Sequence, residues 1–223
     1  MKLQEIFDQL SYGEFSQVSI GGQPAGVINE ANYANVVNHL NLGLSSLYKR
    51  FNLKTRQLTI PLDVGSDIYA LKIDDILKIE KVTTDLEFEL NLNREGDPYS
   101  CFTPSMNSLR VPQVILDQGK DLPDELKTVG LTITYRANHP RIAMKFGILM
   151  PEMKEIELPY SHLQALLYFV ASRVHNPIGM VNEFNAGNSW YAKYEGECQR
   201  LELVNLQIDQ GAMNTRLRSK GWV

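Results

Sequence analysis

Leu3, Ile6, Phe7 and Leu10 recur at the three- and four-residue steps of a helix, so the chain opens on a short amphipathic helix. The period stops at Gly13. From there to Gly26, four glycines and one proline mark a loop, an extended arm or a plain connector. Tyr33, Val36, Val37, Leu40, Leu44, Leu47, Tyr48 and Phe51 then form one long stripe, with Asn35, Asn38, Asn41, Lys49 and Arg50 off it. Asn29 is the expected N-cap of this second helix. Its apolar face needs a partner surface.

From about Thr55 the period falls to two. Leu58, Ile60, Leu62 and Val64 alternate with polar positions, and Pro61, which has no N–H to donate, predicts an edge strand. Further strands are predicted at Ile68–Leu71, Ile76–Val82, Leu86–Leu92, Leu109–Val111, Val114–Leu116, Val129–Tyr135 and Glu155–Leu158. Of these, Leu86, Phe88, Leu90 and Leu92 show the cleanest alternation. Short strands at close spacing predict an antiparallel sandwich or small barrel.

Helical period returns after Pro159. Ser161 is the expected N-cap of a helix to about His175, apolar almost all round and therefore buried. A last helix is predicted from Ser189 to Ile208, with Tyr191, Tyr194, Cys198, Leu201 and Ile208 on its stripe. The fold class is α+β: a small helical bundle of N- and C-terminal helices around an inserted antiparallel β-sandwich or barrel. The expected boundaries are 1–54 for the first bundle part, 55–158 for the β insert, 159–208 for the second bundle part and 209–223 for a basic tail.

The 223 residues suffice for one large core or two small ones. At 43% hydrophobic and 22% charged, the composition excludes wholesale disorder. A formal charge of −4 argues against a chain built to neutralise nucleic-acid phosphates or coat an anionic membrane. The two cysteines, Cys101 and Cys198, exclude a disulfide framework and suit a reducing compartment. The sequence has no apolar run of membrane-spanning length, and Glu5 and Asp8 fall where a signal peptide would be apolar, so a soluble cytoplasmic protein is expected.

Catalytic patterns are missing: no G-x-S-x-G elbow, phosphate-binding loop, dinucleotide turn or H-E-x-x-H helix occurs. His39, His139, His162 and His175 are scattered, none at metal spacing. Ser161 and His162 adjoin, but neighbours on a helix point about 100° apart, so a capping serine beside a surface histidine is the simpler reading. Cys198 reads as a buried structural thiol. Asp74 and Asp75 shield a strand start, and Glu195 and Glu197 read as a solvated cluster. No catalytic residue, cofactor or metal is assigned.

Two features point toward assembly. Arg216, Arg218, Lys220 and Trp222 cluster after Asp209, beyond which no acidic residue follows. Trp and Arg are favoured at binding hot spots, and a frayed terminus is the plainer alternative. Tyr99, Phe102 and Met106 lie in the loop-rich Asn93–Pro112 region, where they either cap the sandwich or face another subunit.

The helix INEANYANVVNHLNLGLSSLYKRF running into QLTIPL, then IYALKIDDILKIEKV, LEFELNLN, YSCFTPSMNSLRVP, LTITYRANHP and IELPYSHLQALLYFVASRV, spans Ile28 to Val174. In this order and wording the chain resembles the head-to-tail adaptor (head completion, tail tubular protein A-like) proteins of short-tailed bacteriophages. The resemblance implies a structural virion protein in the neck, a cyclic ring of about twelve copies. Its implied partners are the portal ring, tail nozzle or tail tube proteins and neighbouring copies, with genomic DNA passing through the hole. The basic tail then corresponds to the segment that meets the portal. Two other classes stay open: a monomeric β-sandwich binding module framed by helices, and a hydrolase with a loop-built site.

Overall fold

The computed structural model describes residues 1–63, 65–119, 122–144, 148–175 and 181–204, with backbone only for 181–186. The protein is α+β, with five α-helices and two antiparallel sheets of four and three strands among the described residues. These form two compact units, Met1–Leu53 with the described residues from His139 onward, and Lys54–Asn138. The first is helical and the second carries both sheets.

In the helical unit, α1 (Leu3–Tyr12) buries the four residues of its predicted stripe. It is anchored where the Leu3 N–H donates to Lys154 O (2.8 Å) and Lys2 forms an antiparallel bridge with Glu155. The Glu155–Leu158 strand is thus corrected to a single bridge, and residues 139–158 belong with the helices, not with the β insert. The glycine-rich stretch is packed rather than trailing: Phe15 and Ile20 are buried. Gly26 there has φ +77°, and a Cβ would stand 3.1 Å from Ser11 O.

Helix α2 (Tyr33–Arg50) starts later than predicted, with Asn32 at its N-cap. Asn29 instead closes the preceding turn, its Oδ1 accepting from Ala31 N–H at 3.1 Å. Asn32 does not cap with its side chain. The buried carboxamide donates to Val27 O (2.7 Å) and accepts from Asn29 N–H (2.8 Å), tying the arm to the helix. Helix α4 (Leu163–Val174; the third helix lies in the β unit) follows a 3-10 turn at Tyr160–His162, so Ser161 is in that turn and not the cap. It packs against α2 and against α5 (Val181–Leu203), which begins eight residues before the predicted start. Arg50, at the end of α2, holds Glu195 (2.6 Å) and Glu202 (2.7 Å) of α5.

The four-stranded sheet of the β unit has the order β1 (Thr55–Pro61), β7 (Gly130–Ala137), β3 (Ile76–Thr84), β4 (Glu89–Leu90). The second sheet has the order β2 (Ile68–Ala70), β6 (Ser108–Arg110), β5 (Phe102–Ser105). Strand β1 is an edge, as Pro61 requires. Strand β7 alternates without a break, burying Leu131, Ile133, Tyr135 and Ala137. Residues of both sheets join one apolar core, among them Val82, Leu90, Cys101, Leu109 and Ile133.

Two predicted strands are revised here. Of Leu86–Leu92, Glu89 and Leu90 pair in the sheet and Leu92 makes a single parallel bridge with Cys101, because the chain turns first: Thr84 N–H donates to Phe88 O (2.9 Å) and Glu87 takes φ +60°. Val114–Leu116 lies in α3 (Gln113–Leu116), a single turn that Pro112 initiates. No closed barrel occurs among the described residues. Val64 lies outside them.

Candidate partner-binding surfaces

The three β-unit residues singled out in sequence occupy different settings. Tyr99 is half-buried against the core, in a loop folded by its own side chains: Asp97 Oδ1 accepts from Tyr99 N–H (2.9 Å) and Asn93 Oδ1 from Thr103 N–H (2.9 Å). Hydrogen bonds also hold the Asp97 carboxyl below its usual range, first that from the Tyr99 amide. Phe102 is half-buried in β5, paired with Arg110. Met106 is 62% exposed at the β5–β6 turn, which a Ser105–Ser108 hydroxyl contact of 2.8 Å closes. Arg216, Arg218, Lys220 and Trp222 lie outside the described residues, as does Ile208.

Sequence reasoning missed a second surface in the helical unit. Lys193 stands 3.9 Å from the centroid of the Trp190 ring and 5.9 Å from that of Tyr168, a cation over two half-buried aromatic rings. His175 adds a third ring at 5.8 Å from Trp190. Tyr168 and Trp190 lie on different helices, so no single helical period brings them together.

The residues that could carry chemistry are structurally engaged. Ser161 Oγ and His162 Nδ1 are 3.0 Å apart, so the adjacent pair does touch. Yet His162 is 1% exposed, packed edge-on against Phe51, and its buried Nε2 has no hydrogen-bond partner among the described residues. Burial lowers the His162 pKa, with the Glu197 charge opposing. Cys101 and Cys198 are buried, and desolvation raises their thiols to about 12 and about 11 respectively. Glu195 is taken by Arg50 and Glu197 by Arg200 (2.6 Å). Asp75 is paired with Arg56 (2.7 Å).

A recess of about 300 Å³ in the helical unit is lined by Val37, Asn38, Arg141 and Met144. Among the described residues, no three His, Cys, Asp or Glu side chains are grouped to hold a metal ion. No described helix is long and apolar enough to cross a membrane. No protein-family model matches the chain, and no curated protein matches it.

Proposed function

We propose that the chain is a structural virion protein, a head-to-tail adaptor that forms a ring between the portal and the tail of a short-tailed phage. One observation carries the reading. Helices from both sides of the β insert close on one another, through the tight approach of α2 to α4 at Gly43 and the Arg50 clamp on α5, while Lys54–Asn138 builds a core of its own. In finer terms these helices are a small bundle and the two sheets a sandwich over that core. The division into a helical unit and a separate β unit supports the reading.

In this role the helical unit makes repeated side-by-side contacts of a cyclic, heterologous ring. Arg216, Arg218, Lys220 and Trp222 meet the portal, and Phe102, Met106 and Tyr99 face a neighbour or the tail nozzle. The net charge of −4 per copy favours a channel that passing DNA does not adhere to. The protein works in the virion neck, without a cofactor and without catalysis.

The test is electron microscopy of the full chain mixed with portal rings. An added ring of density beneath the portal is expected, and deletion of Met213–Val223 should leave a folded chain that no longer attaches. A chain that stays monomeric by light scattering beside intact portal rings overturns the reading.

A further inference from the structure

At one end of the four-stranded sheet, Val82 pairs with Leu90 and Thr84 with Leu131. Leu86 and Phe88 in the turn from β3 to β4, and Val129 just before β7, are exposed there at 63%, 37% and 75% respectively. They belong to one tip. Val129 N–H donates to Asp85 Oδ2 (3.3 Å), Asp85 N–H to Thr128 Oγ1 (3.3 Å), and Thr84 Oγ1 to Glu125 O (3.3 Å).

The same tip carries Asp85, Glu87, Glu89, Asp124 and Glu125. Lys81 pairs with Glu89 (3.4 Å) and Lys127 with Asp124 (2.7 Å). Asp85, Glu87 and Glu125 make no ion pair among the described residues, which leaves three carboxylates around an apolar patch. A surface of this kind favours a ligand with apolar bulk and several cationic groups.

The chain itself contains such a ligand. Segment 209–223 holds Leu217 and Trp222 together with Arg216, Arg218 and Lys220, and no acidic residue follows Asp209. We propose that this segment docks on the acid-rimmed tip of its own β unit. Trp222 and Leu217 cover Leu86, Phe88 and Val129, and the three cations answer the three carboxylates. Exposed ion pairs contribute little, so the apolar contact holds the segment and the charges set its register.

Reach permits this at any angle between the two units. Glu202 is held at Arg50, and Val129 O accepts from Leu62 N–H at 2.9 Å. The twelve-residue path from Arg50 to Leu62 spans at most roughly 45 Å, whereas the twenty residues from Glu202 to Trp222 can extend to roughly 70 Å. Tethering of this kind raises the effective concentration of the segment to about millimolar, so a weak contact suffices. The inference concerns the isolated chain and does not depend on the adaptor reading. Were the same segment to meet a portal, it would first have to leave the tip.

Zero-length carbodiimide cross-linking of the dilute full-length chain, followed by peptide mapping, tests this. Lys220 joined to Glu87 or Glu125 within monomeric chains is expected, with loss of that cross-link in the double variant Leu86→Ser, Val129→Ser. No such cross-link, or one confined to covalent dimers, where the segment of a second copy occupies the tip, overturns the proposal. A second readout uses Trp190→Phe, which leaves Trp222 as the one tryptophan of the chain's two. Trp222 emission should be shielded from acrylamide and become accessible when the two tip substitutions are added. Equal quenching with and without them overturns the docking as well.

Discussion

A Cβ added to Gly43 of α2 would stand 2.7 Å from Leu166 Cδ1 of α4. The Phe169 ring lies 2.9 Å from the same point, and both neighbours are buried. Glycine therefore lets the two helix backbones approach at a place where alanine would favour the helix itself. The two effects oppose each other: alanine gains about 1 kcal/mol of propensity, and overpacking costs about 1–3 kcal/mol. Gly43→Ala should be destabilised by about 1 kcal/mol, read as a lower urea midpoint at unchanged slope. A more stable variant would show that this contact is loose.

Asn32 joins the arm to the helical unit. Replacing it with alanine strands Val27 O and Asn29 N–H, two groups it satisfies at 2.7 and 2.8 Å. The loss should be about 1–2 kcal/mol, the cost of part-buried polar groups losing their partners. Proteolysis between Val18 and Val27 should quicken in parallel, because Asn32 also reaches Ile20 O across the same stretch.

Two histidines make the helical unit sensitive to acid. Burial lowers the pKa of His162 and of His39, and the Arg173 charge lowers that of His39 further. A histidine whose folded pKa lies below its unfolded value of about 6.5 binds its proton more readily in the unfolded chain, so protonation favours unfolding. Their contribution is complete above about pH 6.5 and is lost as the pH falls from there toward the lower folded values. Urea midpoints should drop between pH 7.5 and pH 5.5, and His162→Phe should reduce the drop. A midpoint flat across that interval would contradict the burial argument.

The thiols give a separate check on the two cores. Cys101 sits among the β-unit side chains and Cys198 on the buried stripe of α5, and burial keeps both protonated well above pH 8. An aromatic disulfide reagent at pH 8 should therefore find no reactive thiol in the native chain and two after denaturation with guanidinium. Prompt reaction of one thiol in the native protein would mean that its unit opens readily.

Much of this architecture was legible in order along the chain. The stripe from Tyr33 to Phe51, the apolar helix after Pro159 and the alternation of β7 describe elements whose burial depends on local period, and each is present. Leu86 to Leu92 departs from its alternation for a physical reason. Alternation reports which side of an extended chain is apolar, not whether the chain stays extended, and Glu87 at φ +60° turns it. Leu90 falls inside the sheet and Leu86 in the turn before it. The candidate surfaces were less legible, since Lys193, Trp190 and Tyr168 meet only once α4 and α5 are packed together.

By itself the sequence determined the α+β class, the alternation of helix and strand and most core positions, because these follow from periods of 3.6 and 2 acting over short distances. Tertiary structure alone decided that residues 139–158 join the helices, that Asn32 is a buried tie instead of a cap, and that Gly43 is a point of close approach. Each of these outcomes depends on atoms far apart in the chain. Packing and hydrogen-bond satisfaction select among local patterns that are equally good by period alone.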